Sequence, residues 1–210
     1  MTSPHAYRLA MFPLGTPLLP GAALPLNVFE LRYLMMMDDC QVAPTPEFGV
    51  VLISRGREVG GGDERTDVGC VARIVRMIEH DDGTRSVLAV GDRRVRVLEW
   101  LDDDPYPVAM VEDWPDSDVD VDDIVLADLV ARIAVFVDLV ARATDRPGPV
   151  VEPDAGENPA DFVARVASIL PFGPIDRQAI LAAPDVSERF ERVATALDDL
   201  IAVTRFRLGD

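Results

Sequence analysis

Lysine is absent from this chain, and its absence excludes several kinds of chemistry at once. All 20 basic residues among the 210 are arginine. Without lysine there is no residue for a phosphate-binding P-loop, for a Schiff base or for a serine–lysine nucleophile pair. Arginine cannot replace lysine as a base, because its guanidinium stays protonated near neutral pH. We therefore expect no enzyme of these classes.

Cysteine and histidine are scarce as well. The chain has two cysteines, Cys40 and Cys70, and two histidines, His5 and His80. Neither cysteine has zinc-ligand spacing to the other or to a histidine, so we expect no metal site. Two cysteines do not make a disulfide framework, and we expect reduced, partly buried thiols. With GxSxG and HExxH motifs also missing, the sequence predicts no catalytic residue and no cofactor.

The chain has few positively charged residues for its number of acidic ones. Its 37 acidic residues outnumber the 20 basic ones and leave a net charge of -17. Binding to nucleic acid or to an anionic membrane depends on neutralising phosphates, so we expect neither partner. The first ten residues lack the basic start and apolar core of a signal peptide, which favours a cytoplasmic protein.

An uninterrupted apolar run is also missing, although residues 11–33 resemble one at first sight. Pro13, Pro20 and Pro25 lie inside this segment and would break a membrane-spanning helix. We predict instead two short buried strands, residues 9–14 and 24–28, joined by a turn at Pro20 and Gly21.

The rest of the first half is predominantly β in pattern. We predict strands over residues 48–54, 68–80, 86–90, 93–100 and 108–114, with a short helix inserted at residues 29–40. Asp82 and Gly83 predict a hairpin turn between the second and third of these strands. Short strands separated by regular turn signals are typical of a barrel or a sandwich. Residues 1–118 are therefore predicted to form one β unit, a barrel or a sandwich.

The second half changes character and is predicted to be a helical unit, residues 119–210. Five aspartates within residues 116–123 indicate a solvated hinge, and residues 144–158 indicate a proline- and glycine-rich loop. The helix predicted over residues 124–143 has so little polar surface that we expect it to be buried on most sides. Further helices are predicted from Asn158, at residues 176–182 and from Asp185, where the capping residues fit.

Three adjacent methionines, Met35, Met36 and Met37, carry the strongest hint of a binding surface. Methionine is flexible and polarisable, and it is common on surfaces that accept many partners. With Phe29, Leu31 and Tyr33 nearby, these residues predict an adaptable apolar groove. The alternative is that they cover one end of the barrel as ordinary core residues. On one helix, neighbours differ by about 100°, so at least one methionine should reach the surface.

The opening of the chain resembles the Lon-protease N-terminal (substrate-binding) domain family, in its stand-alone bacterial form without ATPase and peptidase modules. The residues that carry the resemblance are Phe12, Pro13, Leu14, Pro20, Gly21, Pro25, Leu26, Glu30 and Arg32. Weaker matches continue through Val68-Gly69 and Gly91 to Leu170-Pro171. Asn27 departs from the family, which often has histidine at this position, so nothing that depends on an imidazole is carried over.

This resemblance implies an α+β fold, a PUA-like pseudo-barrel followed by a helical bundle. It also implies a non-enzymatic module that binds a protein or an unfolded polypeptide, as a monomer or a weak homo-oligomer. An alternative is a small-molecule or cryptic enzymatic site with a pocket near Glu30, Arg32 and Tyr33. For Glu30 and Arg32, a structural ion pair is the simpler interpretation.

Overall fold

The computed structural model describes residues 5–55, 64–116 and 121–209. The chain divides into two compact units, Met1–Pro115 and Asp116–Asp210. The boundary predicted between residues 118 and 119 lies outside the described residues and stays a prediction. Six strands followed mainly by helices give the predicted α+β class.

The first unit is a six-stranded sheet that curls on itself. Its strands are β1 (Tyr7–Leu14), β2 (Ala23–Val28), β3 (Glu47–Arg55), β4 (Glu64–Glu79), β5 (Arg85–Trp100) and β6 (Val108–Asp113), with helix α1 (Leu31–Val42) after β2. The order is β2-β5-β4-β3-β1-β6, and β5 also pairs with β6. Strand β5 thus closes the barrel, because its first half pairs with β2 and its second half with β6.

The core of this unit lies inside the curled sheet. Its buried members are apolar residues from β1, β3, β4, β5 and β6: Leu9, Met11, Val51, Val71, Val95, Val97, Ala109 and Val111. Alternation along β5 directs Val95 and Val97 inward, while Arg96 remains exposed. Arg94 is nevertheless buried, with its guanidinium 4.4 Å from the ring centroid of Trp114.

Two strand predictions need correction. Strand β2 was expected to be buried, but Ala23, Pro25 and Asn27 are exposed because β2 lies at the end of the sheet. The strands predicted over residues 86–90 and 93–100 are one strand, β5, which continues through Gly91. Glycine there marks a close approach between backbones and not a chain reversal.

The second unit consists of α2 (Asp123–Thr144), α3 (Pro159–Ile169), α4 (Pro174–Leu181) and α5 (Val186–Leu208), and the other three helices all contact α5. The predicted start of α3 is confirmed, since Asn158 Oδ1 accepts from Asp161 N and Pro159 occupies the first turn. Asp185 likewise caps α5 by accepting from Glu188 N at 2.9 Å.

Helix α2 is not buried on most sides, contrary to the prediction. Only one stripe is buried, consisting of Leu129, Ile133, Phe136 and Leu139. Ile124 is 75% exposed although it is strongly apolar. The hydropathy of this helix therefore overestimates its burial.

Two aspartates of the acidic segment before α2 make structural contacts. Asp116 forms an ion pair with Arg189 of α5, and Asp122 caps α2 by accepting from Ile124 N. Asp118 and Asp120 lie outside the described residues.

The loop of residues 144–158 should be the first site of limited proteolysis, and Arg165 should control how quickly it is cut. Arg165 of α3 donates to Glu157 at 2.8 and 2.6 Å and to Glu152 O at 2.9 Å. Replacing Arg165→Gln should accelerate cleavage about two- to fivefold, as expected for losing a surface ion pair. A protease specific for apolar residues measures this rate, with Arg146→Gln as the control. Equal rates for both variants would show that Arg165 does not restrain the loop.

Candidate functional site

Helix α1 is the element that carries the predicted binding residues. It begins after Glu30, whose backbone is extended, and it ends at Val42 because Ala43 is extended and precedes Pro44. Its first turn contains no acidic residue and its last turn no basic one. Packing against the barrel unit must therefore supply much of its stability.

The inner face of α1 packs into the barrel unit. Tyr33, Met36, Met37 and Cys40 are all buried, and steps of about 100° per residue place these four positions on one side of the helix. The ring of Tyr33 stacks on Phe12 of β1, with centroids 4.0 Å apart and an interplanar angle of 8°. The prediction that Tyr33, Met36 and Met37 line an open groove is therefore corrected: they are core residues.

The outer face of α1 carries three exposed apolar residues, with the exposed Asp38 between Met35 and Val42. Leu31 is 73%, Met35 43% and Val42 83% exposed, and Phe29, just before the helix, is 63% exposed. Positions 31, 35 and 42 lie within about 40° of one another around the helix axis. We call Phe29, Leu31, Met35 and Val42 the outer stripe. The expectation that at least one methionine reaches the surface is confirmed by Met35.

Polar contacts on both sides hold α1 in place. Arg85 of β5 donates to Asp38 at 2.6 Å and to the carbonyl oxygen of Leu34 at 3.1 Å. The hydroxyl of Tyr106 donates to Asp39 at 2.6 Å. Burial, reinforced by this hydrogen bond to Asp39, raises the pKa of Tyr106 to about 12, so the hydroxyl remains a donor at neutral pH. The outer stripe is thus presented by a restrained helix.

The alternative site near Glu30, Arg32 and Tyr33 is occupied by contacts among these residues. Arg32 Nε and Nη2 each lie 3.1 Å from Glu30 Oε2, and the guanidinium carbon is 4.5 Å from the centroid of the Tyr33 ring. Both charged side chains are about four-fifths buried, at 21% and 22% exposure. This arrangement is that of a structural ion pair with a cation–π contact.

The two thiols are poorly suited to nucleophilic chemistry. Burial raises the pKa of Cys40 to about 11 and that of Cys70 to about 12, so both stay protonated at neutral pH. Within the three described ranges, no group of three or more His, Cys, Asp or Glu side chains is arranged to hold a metal ion. No described helix has the length and apolar composition that a membrane crossing needs.

The residues of the opening motif position α1 and do not form a cluster of their own. Phe12, Pro13 and Leu14 belong to β1, which pairs in parallel with β3. Gly21 takes φ 78°, which the turn after Pro20 requires. Pro25 and Leu26 belong to β2, whose end leads through Phe29 into α1.

Comparison with known proteins assigns the chain to a family. The profile of the family described as the ATP-dependent protease La (LON) substrate-binding domain matches residues 8–199, and the chain belongs to this family. A curated relative, Lon protease 2 of Herpetosiphon aurantiacus, is 29% identical over 93% of this chain and 24% of its own length. Lon protease of Roseiflexus castenholzii is 28% identical over 90% of this chain and 24% of its own length. The chain thus spans about a quarter of these relatives.

Two solved structures share the fold. The Lon N-terminal domain protein from Xanthomonas campestris has a TM-score of 0.66 and 27% identity, covering 90% of this chain and 98% of that one. The N-terminal domain of Mycobacterium avium complex Lon protease has a TM-score of 0.63 and 15% identity, covering 92% and 99%.

Sequence reasoning missed part of the outer stripe. Val42 was not among the predicted binding residues, and Leu31 was noted only as a neighbour of the methionines. The spacing of positions 31, 35 and 42 could have revealed both, because i, i+4 and i+11 return to the same helix face. Three consecutive methionines drew attention to sequence neighbours, which point in different directions.

Proposed function

We propose that this chain is a non-enzymatic polypeptide-binding module that holds apolar segments of unfolded protein on the outer stripe of α1. The observation that carries the proposal is the exposure of four large apolar side chains, three of them on one face of α1 and Phe29 just before the helix. Large apolar residues exposed as a patch commonly mark an interaction site. The family description as a substrate-binding domain supports the same kind of function.

The chemistry of the stripe suits a partner without a fixed sequence. Met35 is unbranched and can adapt its shape, and Leu31 and Phe29 offer apolar area without a directional hydrogen bond. The Cys40 thiol stays protonated at neutral pH and Glu30 is paired with Arg32, which disfavours nucleophilic or base chemistry at these two residues. The net charge of -17 disfavours nucleic acid as the occupant.

The double substitution Leu31→Asp and Met35→Asp should weaken capture of an unfolded model protein of zero net charge by about tenfold. This corresponds to losing about 1.4 kcal/mol of apolar contact. Fluorescence anisotropy measures the affinity, and thermal unfolding checks that the fold survives, since exposed substitutions usually change stability by about 0.5 kcal/mol or less.

Val203→Asp is the matched control, because Val203 is an apolar residue of α5 with 48% exposure, close to the 43% of Met35. It introduces an acidic side chain outside the outer stripe. If the control weakens capture as much as the double variant, the effect is general repulsion and the outer stripe is not the binding surface.

A further inference from the structure

Strand β2 has one edge that no other described strand covers. Within residues 5–55, 64–116 and 121–209, β2 pairs only with β5, in the register Ala23 with Val90 through Val28 with Arg85. Such an edge presents backbone donors and acceptors that an extended chain can pair with.

The hydrogen-bond pattern shows which residues face this free edge. Gly91 N donates to Ala22 O at 2.9 Å, so the carbonyl of Ala22 points toward β5. Backbone groups alternate sides along an antiparallel strand. The backbone N–H and carbonyl groups of Leu24, Leu26 and Val28 therefore also point toward β5. The backbone groups of Ala23, Pro25 and Asn27 then point away from β5. All three residues are exposed.

The outward groups form an incomplete ladder. Ala23 and Asn27 each offer an N–H and a carbonyl, whereas Pro25 offers only a carbonyl because proline has no backbone N–H. Within the described chain, no backbone hydrogen bond to these outward groups is formed. Proline on an edge strand weakens pairing with another strand without abolishing it. An edge of this kind suits weak and reversible pairing.

We propose that the free edge of β2 binds an extended segment of an unfolded polypeptide by adding it to the sheet as a further strand. This inference rests on the proposed function and specifies how the polypeptide backbone is held. Backbone pairing fits a partner of any sequence, because it uses groups that every residue other than proline has. The edge also ends at Val28, the chain neighbour of Phe29, so the two proposed surfaces meet at this point.

Two substitutions on the edge should have opposite effects. Asn27→Pro removes an outward N–H and should weaken binding about three- to tenfold, the range expected for one hydrogen bond. Pro25→Ala restores an outward N–H and should strengthen binding by a similar factor. Asn27→Ala is the control, because it removes the same side chain, including the 3.3 Å contact from Ser86 Oγ, yet keeps the N–H.

The probe is a labelled, uncharged peptide of alternating valine and threonine, which pairs well as a strand. Anisotropy gives the affinity, and amide hydrogen exchange of Ala23 and Asn27 should slow when the peptide is added. Thermal unfolding of Asn27→Pro verifies folding, and Pro25→Ala gives an independent test if that variant does not fold.

Each outcome has a distinct meaning. If Asn27→Pro and Asn27→Ala bind the peptide equally and Pro25→Ala does not increase the affinity, edge pairing is overturned. The proposed function still stands in that case if the outer-stripe double variant captures the unfolded model protein more weakly. If neither set of variants affects capture, both proposals fail. If the protein alone associates in a concentration-dependent manner that Asn27→Pro abolishes, the edge pairs with a second copy and the polypeptide occupant is overturned.

Discussion

Substituting Asp116→Ala should lower the free energy of unfolding of the helical unit by about 3 kcal/mol, within the range measured when one partner of a buried ion pair is removed. Arg189 Nη1 lies 2.8 Å from Asp116 Oδ2 and Nη2 lies 2.5 Å from Oδ1, which makes the pair bidentate. The Arg189 side chain is only 6% exposed, so without Asp116 it would be a buried charge that water barely reaches.

Replacing the other partner of the ion pair, Arg189, should lower the free energy of unfolding by a smaller amount. Arg189→Met keeps most of the volume of the side chain and leaves Asp116, which is 26% exposed and can regain water. We expect a loss of about 1–2 kcal/mol, and the double variant should be close to Arg189→Met alone. This asymmetry distinguishes a desolvated charge pair from a contact that only fills space.

Two spectroscopic signals separate the units in this measurement. Trp100 and Trp114 are the only tryptophans and both belong to the barrel unit, whereas most helical residues belong to the other unit. In urea, Asp116→Ala should shift the transition seen by circular dichroism. If Asp116→Ala and Arg189→Met lower the free energy of unfolding by equal amounts, the argument from the unequal exposure of Asp116 and Arg189 is contradicted.

The fold was predictable where one residue type has one local consequence. Asn158 before Pro159 predicted the start of α3, and Asp82 with Gly83 predicted the turn between β4 and β5, where Gly83 has φ 81°. The division of β5 into two strands around Gly91 was wrong. In sequence, a glycine that allows two backbones to approach cannot be distinguished from one that ends a strand.

The candidate site was predictable to the level of the helix but not of its faces. The sequence indicated α1 and required one exposed methionine, which is Met35. It could not indicate which face packs inward, because that depends on Phe12 of β1 stacking on Tyr33, a contact between residues 21 positions apart. Whether the outer stripe binds a polypeptide stays a prediction.

Substituting Gly91→Ala should destabilise the barrel unit by about 3 kcal/mol, at the upper end of the cost of overpacking. A Cβ at this position would lie 2.2 Å from Leu19 O and 3.0 Å from Leu19 C, both of them backbone atoms. The strand cannot easily move away, because Gly91 N donates to Ala22 O at 2.9 Å and Gly91 O accepts from Gly21 N at 2.8 Å. Tryptophan fluorescence during urea unfolding follows the affected unit.

Gly83→Ala provides the control for this prediction. A Cβ at Gly83 would have no heavy atom within 4 Å, and its φ of 81° makes the expected cost about 1–2 kcal/mol, from backbone strain alone. Gly69→Ala is a second test, since its Cβ would lie 2.3 Å from Val50 O. We expect both Gly91→Ala and Gly69→Ala to lose more stability than Gly83→Ala. If Gly83→Ala proves the most destabilising of the three, backbone conformation and not close approach explains the need for glycine in this barrel.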